Sequence, residues 1–476
     1  MATDTPTRVA VVGGGPGGYA AAFHAADLGM QVTLVDEEQD PGGVCLYRGC
    51  IPSKALLHVA AVIRESAHAS QWGVRFAPPA VDLDRLRAFK NQVVGKLTGG
   101  LGVLSRQRHV DYVRGRAALT GPRSIRVART DGTADELTFD AIILATGSRP
   151  TPLPGVTIES DRLLDSTSAL DLPDVPGRLL VVGGGYIGLE LGTVYAALGS
   201  KVSVVEMTDG LLPGADRDLV SVLAKRVSAI AEKVMLETRV VGVSDAGTGL
   251  RVMFEAKDGA RTEQVYDRVL VAIGRRPNSS IEGLDRTGVE IDRRGFITVD
   301  AQRRTAEPTI YAIGDVAGEP MLAHKAAHEA RVAVEAIAGH KVAFEPAAIP
   351  AVVFTDPELA WCGLTEAQAK AAGQPVDVAK FPWGASGRAV TLDRPDGLTK
   401  LVLEPKTGRI LGVGIVGPGA GELIAEGTLA IEMGANAADL KLTIHPHPTL
   451  SETVMESAEV FFGQSTHLHR PKREHA

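Results

Sequence analysis

Two similar patterns of apolar and small residues organise the chain. The segment Val11–Gly15 recurs as Val181–Gly185, and the two copies then stay in register at a constant offset up to Asp36 and Glu206. Each copy begins with a β-branched run, passes through a G-x-G-x-x-G turn into a segment rich in small residues, and closes with a second β-rich run. The pattern predicts two copies of one strand–turn–helix–strand unit.

Glycines at three fixed positions in each copy match the dinucleotide-binding fingerprint. The first allows a tight turn, the second lets the backbone approach a pyrophosphate, and the third lets the helix pack close to the strand. The helix N-terminus offers free N–H groups to phosphates, and the acidic residue after the second strand can accept hydrogen bonds from a ribose. The predicted sites are formed by Gly13, Gly15, Gly18 and Asp36 in the first copy and by Gly183, Gly185, Gly188 and Glu206 in the second.

A pair of cysteines follows the first copy. Four residues separate Cys45 from Cys50, while Cys362 stands alone. In a reducing compartment, such a pair more often binds a metal or reacts than supports the fold. Because zinc needs four ligands and Cys362 lacks suitable spacing, we expect no metal site and favour a redox disulfide over two ordinary buried thiols. A regular helix would hold the two Cα atoms roughly 8–9 Å apart, too far for a disulfide, so we expect irregular backbone near Gly49 and Pro52.

The place of the cysteines in the chain assigns the two nucleotides. A dithiol exchanges electrons readily with a flavin, so the first copy is predicted to hold FAD and the second a nicotinamide. Glu206 favours NAD over NADP, because a carboxylate suits a 2′-hydroxyl and repels a 2′-phosphate. The following residues, Met207–Gly210, supply no arginine for such a phosphate.

Composition narrows the class of protein further. A chain of 476 residues is too long for one compact core, so about three domains are expected. Its 45% apolar and 22% charged residues and its net charge of -7 are typical of a globular protein without the basic excess of a nucleic-acid binder. No apolar run approaches the ~20 residues that span a bilayer. Since Met1–Arg8 also lacks a signal or transit pattern, we expect a cytoplasmic protein with neither nucleic-acid nor membrane partners.

The segment Gly42–Lys54 resembles the active-site signature of the pyridine nucleotide–disulfide oxidoreductases. The resemblance extends from Val9 to about Phe462. It implies that Cys45 is the interchange thiol and that Cys50 lies against the flavin. Two departures stand out: Tyr47-Arg48, where the family usually has asparagine and a small apolar residue, and Asp36, where glutamate is usual. The departure at Tyr47-Arg48 could alter the entry of the dithiol substrate or the reduction potential of the disulfide.

The resemblance also implies a polar pair and the remaining cofactor contacts. Lys54 is similar to the lysine near the flavin, with Glu190 as its partner. Beyond the fingerprint residues, the FAD site would be completed by Lys54, Thr146, Gly147, Asp315, Leu322 and Ala323, and the NAD site by Tyr186, Ile187 and Gly274.

A candidate base lies near the C-terminal end. Thiol oxidation proceeds through a thiolate, and histidine titrates near working pH. We interpret His445 as structural, whereas the run H-P-T-x-x-E makes His447 and Glu452 similar to the family's catalytic dyad. The resemblance implies a cis bond before Pro448 and a homodimer in which His447 faces Cys45 of the other subunit.

The implied fold is α/β, with two Rossmann-like dinucleotide-binding domains, a central region and a C-terminal α+β dimerisation domain. The expected boundaries are 1–150 for FAD, 151–280 for NAD, 281–350 for the central domain that completes the FAD site, and 351–476 for the interface.

The choice of branch within the family depends on a few segments. Relatives that use NADPH carry arginines where this chain has Glu206, and mercuric reductases carry a C-terminal cysteine pair that Gln464–Ala476 lacks. Met321–Ala326 and Val205–Met207 resemble the members that oxidise dihydrolipoamide with NAD+. The expected partners are lipoyl domains of acyltransferase subunits or a glycine-cleavage carrier protein. The alternatives are another NAD(P)H-dependent disulfide or mercuric reductase of the family, and a non-catalytic flavoprotein scaffold.

Overall fold

The strands form separate sheets along the chain. The structure is a computed structural model, and it describes residues 6–469. In chain order the strands are β1 (Arg8–Val12), β2 (Gln31–Asp36), β3 (Asp111–Gly121), β4 (Ser124–Arg129), β5 (Ala134–Thr138), β6 (Ala141–Leu144), β7 (Ser148–Pro150), β8 (Leu163–Leu164), β9 (Arg178–Val182), β10 (Lys201–Val205), β11 (Lys233–Met235), β12 (Thr238–Asp245), β13 (Leu250–Ala256), β14 (Arg261–Tyr266), β15 (Arg268–Val271), β16 (Arg275–Pro277), β17 (Ile310–Ala312), β18 (Ala351–Val353), β19 (Leu359–Gly363), β20 (Asp377–Pro382), β21 (Leu398–Leu403) and β22 (Ile410–Val416).

The helices cover the faces of these sheets. They are α1 (Pro16–Asp27), α2 (Gly43–Arg48), α3 (Cys50–His68), α4 (Leu83–Gln107), α5 (Ser166–Leu170), α6 (Tyr186–Leu198), α7 (Arg217–Ile230), α8 (Ala323–Ile337), α9 (Glu366–Ala371), α10 (Gly387–Thr391), α11 (Ala420–Glu432), α12 (Ala437–Leu442) and α13 (Glu452–Phe461). Short 3-10 turns occupy Ala69–Trp72, Leu284–Arg286, Gly314–Val316 and Trp383–Ala385.

The first copy forms the centre of a sheet with the order β17-β6-β1-β2-β3-β4-β5. The strands from β17 to β3 run parallel, and β4 and β5 extend the sheet in antiparallel fashion. The apolar run of β1 is buried, and alanines of α1 and α8 pack on one face of the sheet, where their small side chains allow close approach. Because β17 pairs with β6, the chain beyond residue 309 returns to the first nucleotide unit.

The second copy repeats this arrangement. Its parallel sheet has the order β11-β10-β9-β15-β8, and an antiparallel sheet of β12, β13 and β14 covers one face of it. Helix α6 follows β9 just as α1 follows β1. The expected α/β fold with two Rossmann-like units is confirmed.

The C-terminal part has a different construction, as expected for an α+β domain. Its antiparallel sheet has the order β18-β19-β22-β21-β20, and α11 and α13 pack against it. Trp383 and Cys362 lie in this core with 0% and 2% of their surface exposed. Cys362 therefore behaves as a small buried apolar residue.

Helix α3 connects the first unit to the second. Leu56, Leu57 and Ala60 share one apolar core with Leu189 and Leu191 of α6. This packing sets the N-terminal ends of both helices side by side, so that the cysteine segment faces the helix of the second copy.

A buried lysine ties the second unit to the C-terminal domain. Lys400 is 1% exposed, and its Nζ lies 2.6 Å from Asp216, 2.8 Å from Glu366 and 2.9 Å from Asp218. The three carboxylates converge closely enough to suggest a cation site, and the ammonium of Lys400 occupies that position.

The expected boundaries between four domains stay a prediction. Strands β7 and β16 pair in antiparallel fashion between the two nucleotide units.

Across residues 6–469, no helix combines the length and apolarity required to cross a membrane.

Candidate redox centre and dinucleotide sites

The first glycine turn forms a narrow cradle. Gly13 has a φ of 105°, and a Cβ on Gly18 would lie 1.7 Å from the Gly13 carbonyl oxygen. A Cβ on Gly15, by contrast, would have as its nearest described neighbour the Cα of Gly43, at 3.9 Å. The turn is therefore closed against the helix and open at the position where the fingerprint places a pyrophosphate. Asp36 accepts hydrogen bonds from the backbone N–H groups of Gly14 and Glu38.

The second turn repeats this geometry. Gly183 has a φ of 109°, a Cβ on Gly188 would lie 2.5 Å from the Gly183 carbonyl oxygen, and no described atom lies within 4 Å of a Cβ on Gly185. Glu206 is buried and accepts hydrogen bonds from Gly184 N at 2.7 Å and Thr208 N at 2.8 Å.

A single cavity gathers most of the residues predicted for the FAD site and the thiol chemistry. Two of the predicted residues, Gly18 and Leu322, are missing from its described lining. Gly18 packs against the Gly13 carbonyl under the turn, and Leu322 is the N-cap residue of α8. The predicted residues in its lining are Gly13, Gly15, Asp36, Cys45, Cys50, Lys54, Thr146, Gly147, Tyr186, Ile187, Glu190, Asp315 and Ala323.

The remaining predicted NAD residues lie outside this cavity. They are Gly183, Gly185, Gly188, Glu206 and Gly274. The described lining of the cavity includes only two residues predicted for the NAD site, Tyr186 and Ile187. Burial raises the pKa of Tyr186 to about 12, so its ring is a neutral phenol near the boundary between the two sites.

The surroundings fit a dinucleotide in each turn. The open space over Gly15 and Gly185, the free N-termini of α1 and α6, and the acid after each second strand are the features that hold a pyrophosphate and a ribose. FAD would lie against Asp36, Thr146 and Asp315 in the cavity, and NAD against Glu206.

The cysteine segment is irregular where the sequence predicts it. Helix α2 ends at Arg48 and α3 begins at Cys50, with Gly49 between them at φ -147° and ψ -111°. The distortion predicted near Pro52 is absent, because Pro52 lies within the regular first turn of α3, where a proline fits, and the irregular residue between the two helices is Gly49. Both cysteines are free thiols in this structure, and both face the cavity.

The two thiols differ strongly in acidity. The Cys45 thiol donates a hydrogen bond to the Cys50 sulfur, which together with the charge of Lys54 lowers the pKa of Cys50 to about 7 against the effect of burial. The same hydrogen bond, followed by burial, raises the pKa of Cys45 far above its usual value. The directions of the two shifts favour Cys50 over Cys45 as the thiolate of the dithiol.

Lys54 is fixed beside these thiols. Its Nζ donates to Glu190 Oε2 at 2.7 Å and lies 4.5 Å from the centre of the Phe354 ring. The Glu190 side chain is 4% exposed, and its other oxygen accepts from Phe354 N at 3.0 Å. The pairing that the resemblance implied is thus present as a contact between α3 and α6.

The candidate base is held at the surface. His447 Nδ1 lies 2.9 Å from Glu452 Oε1, and Thr449 N donates to Glu452 Oε2 at 2.7 Å. Although burial acts to raise it, these hydrogen bonds lower the pKa of Glu452. The peptide bond before Pro448 is cis, and the His447 side chain is 72% exposed.

His445 has a structural setting, as the sequence predicts. Its side chain is 5% exposed, and its two ring nitrogens contact Thr443 O at 3.0 Å and Glu426 Oε1 at 2.7 Å. These contacts anchor the loop that carries His447.

Comparison with known proteins gives the same picture over the whole chain. Residues 7–330 match the model of the pyridine nucleotide-disulphide oxidoreductases, and residues 349–458 match the dimerisation domain of that family. The chain belongs to the pyridine nucleotide-disulphide oxidoreductase family. It is 49% identical to a dihydrolipoyl dehydrogenase of Vibrio cholerae, over 99% of both chains. It is 50% identical to one of Haemophilus influenzae, over 99% of this chain and 98% of the relative.

A solved structure of this family superimposes closely. The crystal structure of LpdA from Mycobacterium tuberculosis matches with a TM-score of 0.88 at 29% identity, covering 95% of this chain and 99% of that one. The match to the dimerisation domain supports a homodimer. Within the described part of one chain, His447 and Glu452 lie outside the lining of the thiol cavity.

Sequence reasoning missed several polar residues around the FAD side of this oxidoreductase. Arg275 donates to Ser148 Oγ at 2.7 Å, and Ser148 in turn donates to Asp315. Asn278 exchanges hydrogen bonds with Thr146. These residues are distant in sequence from their partners, and their types alone carry no signal.

A buried ionic group supports the turn at Asp315. Glu329 is fully buried, accepts from Gly314 N at 2.7 Å, and pairs with Arg303 and Lys325, each at 2.9 Å. The only sequence signal was the i,i+4 spacing of Lys325 and Glu329 on α8.

Proposed function

We propose that the protein is a dihydrolipoyl dehydrogenase, which oxidises dihydrolipoamide to lipoamide and reduces NAD+ to NADH and a proton. The observation that carries the proposal is that an acidic thiol, Cys50, lies with Cys45 and Lys54 in the cavity that the first nucleotide turn opens into. The relatives at 49–50% identity over their whole length support this member of the family.

Cys45 and Cys50 carry the thiol exchange. A substrate thiolate attacks Sγ of Cys45 in the oxidised pair, forms a mixed disulfide and displaces Cys50 as a thiolate. The second substrate thiolate then attacks the substrate sulfur that is bonded to Cys45. This step closes the lipoyl ring and releases Cys45 as a thiolate. Two electrons have now passed to the protein's dithiol, and FAD, when bound, supplies the relay of this electron pair to NAD+.

The acidity difference between the thiols suits this sequence of events. Displacement is favoured when the leaving sulfur is the more acidic one, and that sulfur is Cys50. The released Cys45 thiolate must take up a proton, because a thiolate at Cys45 is strongly disfavoured while Cys50 is charged.

His447 serves as the base, oriented by Glu452. The carboxylate on Nδ1 leaves Nε2 to accept a substrate thiol proton and stabilises the imidazolium that results. Because His447 is exposed in the single chain, we place its action in the homodimer, across the subunit boundary from Cys45.

The cofactors are FAD in the first unit and NAD in the second. Lys54, held by Glu190, presents a fixed positive charge to the cavity. Glu206 accepts hydrogen bonds from the ribose hydroxyls of NAD and repels the 2′-phosphate of NADP. We propose lipoyl domains of 2-oxo-acid dehydrogenase or glycine-cleavage systems as partners and the cytoplasm as the location.

Four rates measured side by side test this proposal. Dihydrolipoamide oxidation is assayed with NAD+ and with NADP+, and reduction of glutathione disulfide with NADH and with NADPH. We expect rapid turnover only for dihydrolipoamide with NAD+. Faster turnover of glutathione disulfide would assign the protein to another branch of the family, and absence of turnover with both dithiol and disulfide would indicate a scaffold.

A further inference from the structure

Tyr47 and Arg48 are the residues at which the active-site segment departs from the family signature. The thiol exchange proposed above uses neither of them. They close helix α2, immediately before the backbone turns at Gly49. Their side chains turn out to contact the loop that follows β2, which holds the acidic residues of the first nucleotide site.

Tyr47 fastens α2 to that loop. Its hydroxyl donates to the carbonyl oxygen of Asp40 at 2.9 Å and accepts from Asp40 N at 3.2 Å. The guanidinium carbon of Arg48 lies 6.0 Å from the centre of the Tyr47 ring, and the guanidinium pairs with Glu38. The aromatic ring and the carboxylate thus limit the positions that Arg48 can adopt.

Arg48 belongs to the lining of the cavity beside the acidic loop, and 41% of its side chain is exposed. Asp36, Glu37 and Glu38 line the cavity together with Arg48. The other basic side chains in the described lining are Lys54 and Arg275. Lys54 is paired with Glu190, and Arg275 donates to Ser148 through two nitrogens, each at 2.7 Å.

The charge balance at this end calls for a cation. A pyrophosphate over Gly15 would bring two negative charges into a cavity whose lining already includes Asp36, Glu37 and Glu38, and the N-terminus of α1 contributes only about half a unit of positive charge. Burial raises the pKa of Asp36, and the hydrogen bond from Gly14 and the charge of Arg48 act in the opposite direction. A guanidinium is well suited to phosphate oxygens because its N–H groups form a planar fork.

We propose that Arg48 is a cofactor-binding residue, which Tyr47 and Glu38 hold at the acidic end of the first cavity so that its charge attracts the pyrophosphate of FAD. The proposal rests on the assignment of FAD to the first nucleotide unit. It gives a function to the departure from the family signature: a charged contact that the usual small apolar residue does not supply.

Binding of FAD to the full-length apoprotein tests this directly, because it requires no turnover. Arg48→Gln, Arg48→Lys and Glu38→Gln are titrated with FAD by quenching of flavin fluorescence, at several salt concentrations. Arg108→Gln is the matched control, since Arg108 also pairs with a carboxylate, Asp27, and lies over an aromatic ring, Phe23, outside the described lining of the cavity.

We expect Arg48→Gln to weaken FAD binding about 10-fold or more, because a charged hydrogen bond is lost. Its affinity should also depend less on salt than that of the wild type, and Arg48→Lys should restore most of that dependence. Arg108→Gln should keep wild-type affinity, and Glu38→Gln, which removes the ion pair that positions Arg48 but leaves its charge, should keep the wild-type salt dependence.

Two outcomes overturn the proposal: wild-type affinity in Arg48→Gln, or equal losses of affinity in Arg48→Gln and Glu38→Gln while Arg48→Gln keeps the wild-type salt dependence, which would show that the ion pair only fastens the loop. If Arg48→Gln does not fold, as judged by thermal unfolding, Arg48→Met is titrated in its place, and the same two outcomes decide. Failure of the wild-type apoprotein to bind FAD would instead contradict the proposed function itself.

Discussion

The two nucleotide units share one fingerprint and differ in what surrounds it. In the first, residues of α2, α3 and the turn at Asp315 line one cavity together with the glycine turn, and both thiols belong to that lining. In the second, Gly183, Gly185 and Glu206 lie outside the described lining of that cavity, and Met207, next to Glu206, is 74% exposed. The unit with the cavity suits a cofactor that stays bound, and the more exposed unit suits a nucleotide that exchanges in each turnover.

The acidic residues show the same contrast. Asp36 accepts a hydrogen bond from Gly14 N, and Glu206 accepts the equivalent one from Gly184 N. Asp36 shares its surroundings with Arg48, and burial raises its pKa, whereas Thr208 completes the contacts of Glu206. The fingerprint therefore determines that a dinucleotide binds, and the neighbouring segments determine what is done with it.

The largest difference should appear when the third glycine of each turn is changed. A Cβ at position 18 or 188 would meet a backbone oxygen at 1.7 or 2.5 Å, respectively. We expect Gly18→Ala to be purified without FAD, and Gly188→Ala to retain FAD while losing NAD affinity. The ratio of flavin to protein absorbance and the KM for NAD+ measure this. Loss of FAD in both variants to the same extent would mean that the units are not independent.

Removal of the base should separate the dithiol side from the nicotinamide side. We expect His447→Gln to lower dihydrolipoamide oxidation by about 10²–10⁴-fold, because general base catalysis is lost. Oxidation of NADH by ferricyanide does not involve thiol deprotonation and should stay near the wild-type rate. An equal loss in the two assays would show damage to the fold or to FAD rather than loss of a base.

The acid of the second unit should control coenzyme choice. Glu206→Gln keeps an oxygen for the N–H of Gly184 but removes the charge that repels a 2′-phosphate. We expect the preference for NAD+ over NADP+ in kcat/KM to fall about 10-fold. Asp36→Asn is the counterpart in the first unit and should leave this ratio unchanged; a shift there would reverse the assignment of the two sites.

A smaller effect is expected from the cation beside the thiols. The lowered pKa of Cys50, about 7, means that its thiolate is present above that pH and is lost as the pH falls through it. Lys54→Met removes one cause of the lowering, so the midpoint should move upward. A pH titration of thiolate absorbance in the reduced protein measures the midpoint. An unchanged or lower midpoint would show that Lys54 does not help to lower the pKa of Cys50.

Sequence patterns predicted the parts of the molecule that depend on local order. The repeated units, the acid after each second strand and the break near Gly49 follow from residue types at fixed spacing. The contacts of Arg48 with Glu38 and of Arg275 with Ser148 could not be predicted in this way, because they depend on how separate segments pack. Tyr47 and Arg48 stood out only as a departure, and their positions became clear from the packing of α2 against the loop after β2.

The position of the base illustrates a second limit. Residue type and spacing indicated His447 and Glu452, and the structure shows them in contact at 2.9 Å. Their approach to Cys45 stays a prediction, since it involves two chains. The absence of His447 from the described lining of the cavity agrees with an action across the dimer.

The central claim is that the electron pair leaves the thiols through Cys50, beside the flavin of the first unit. The most direct test is the absorbance spectrum of anaerobically reduced protein, wild type against Cys50→Ser, with Cys45→Ser as the matched variant. We predict that the long-wavelength band of a thiolate against oxidised flavin appears in the wild type, persists in Cys45→Ser and is missing in Cys50→Ser. Persistence of the band in Cys50→Ser would contradict the account.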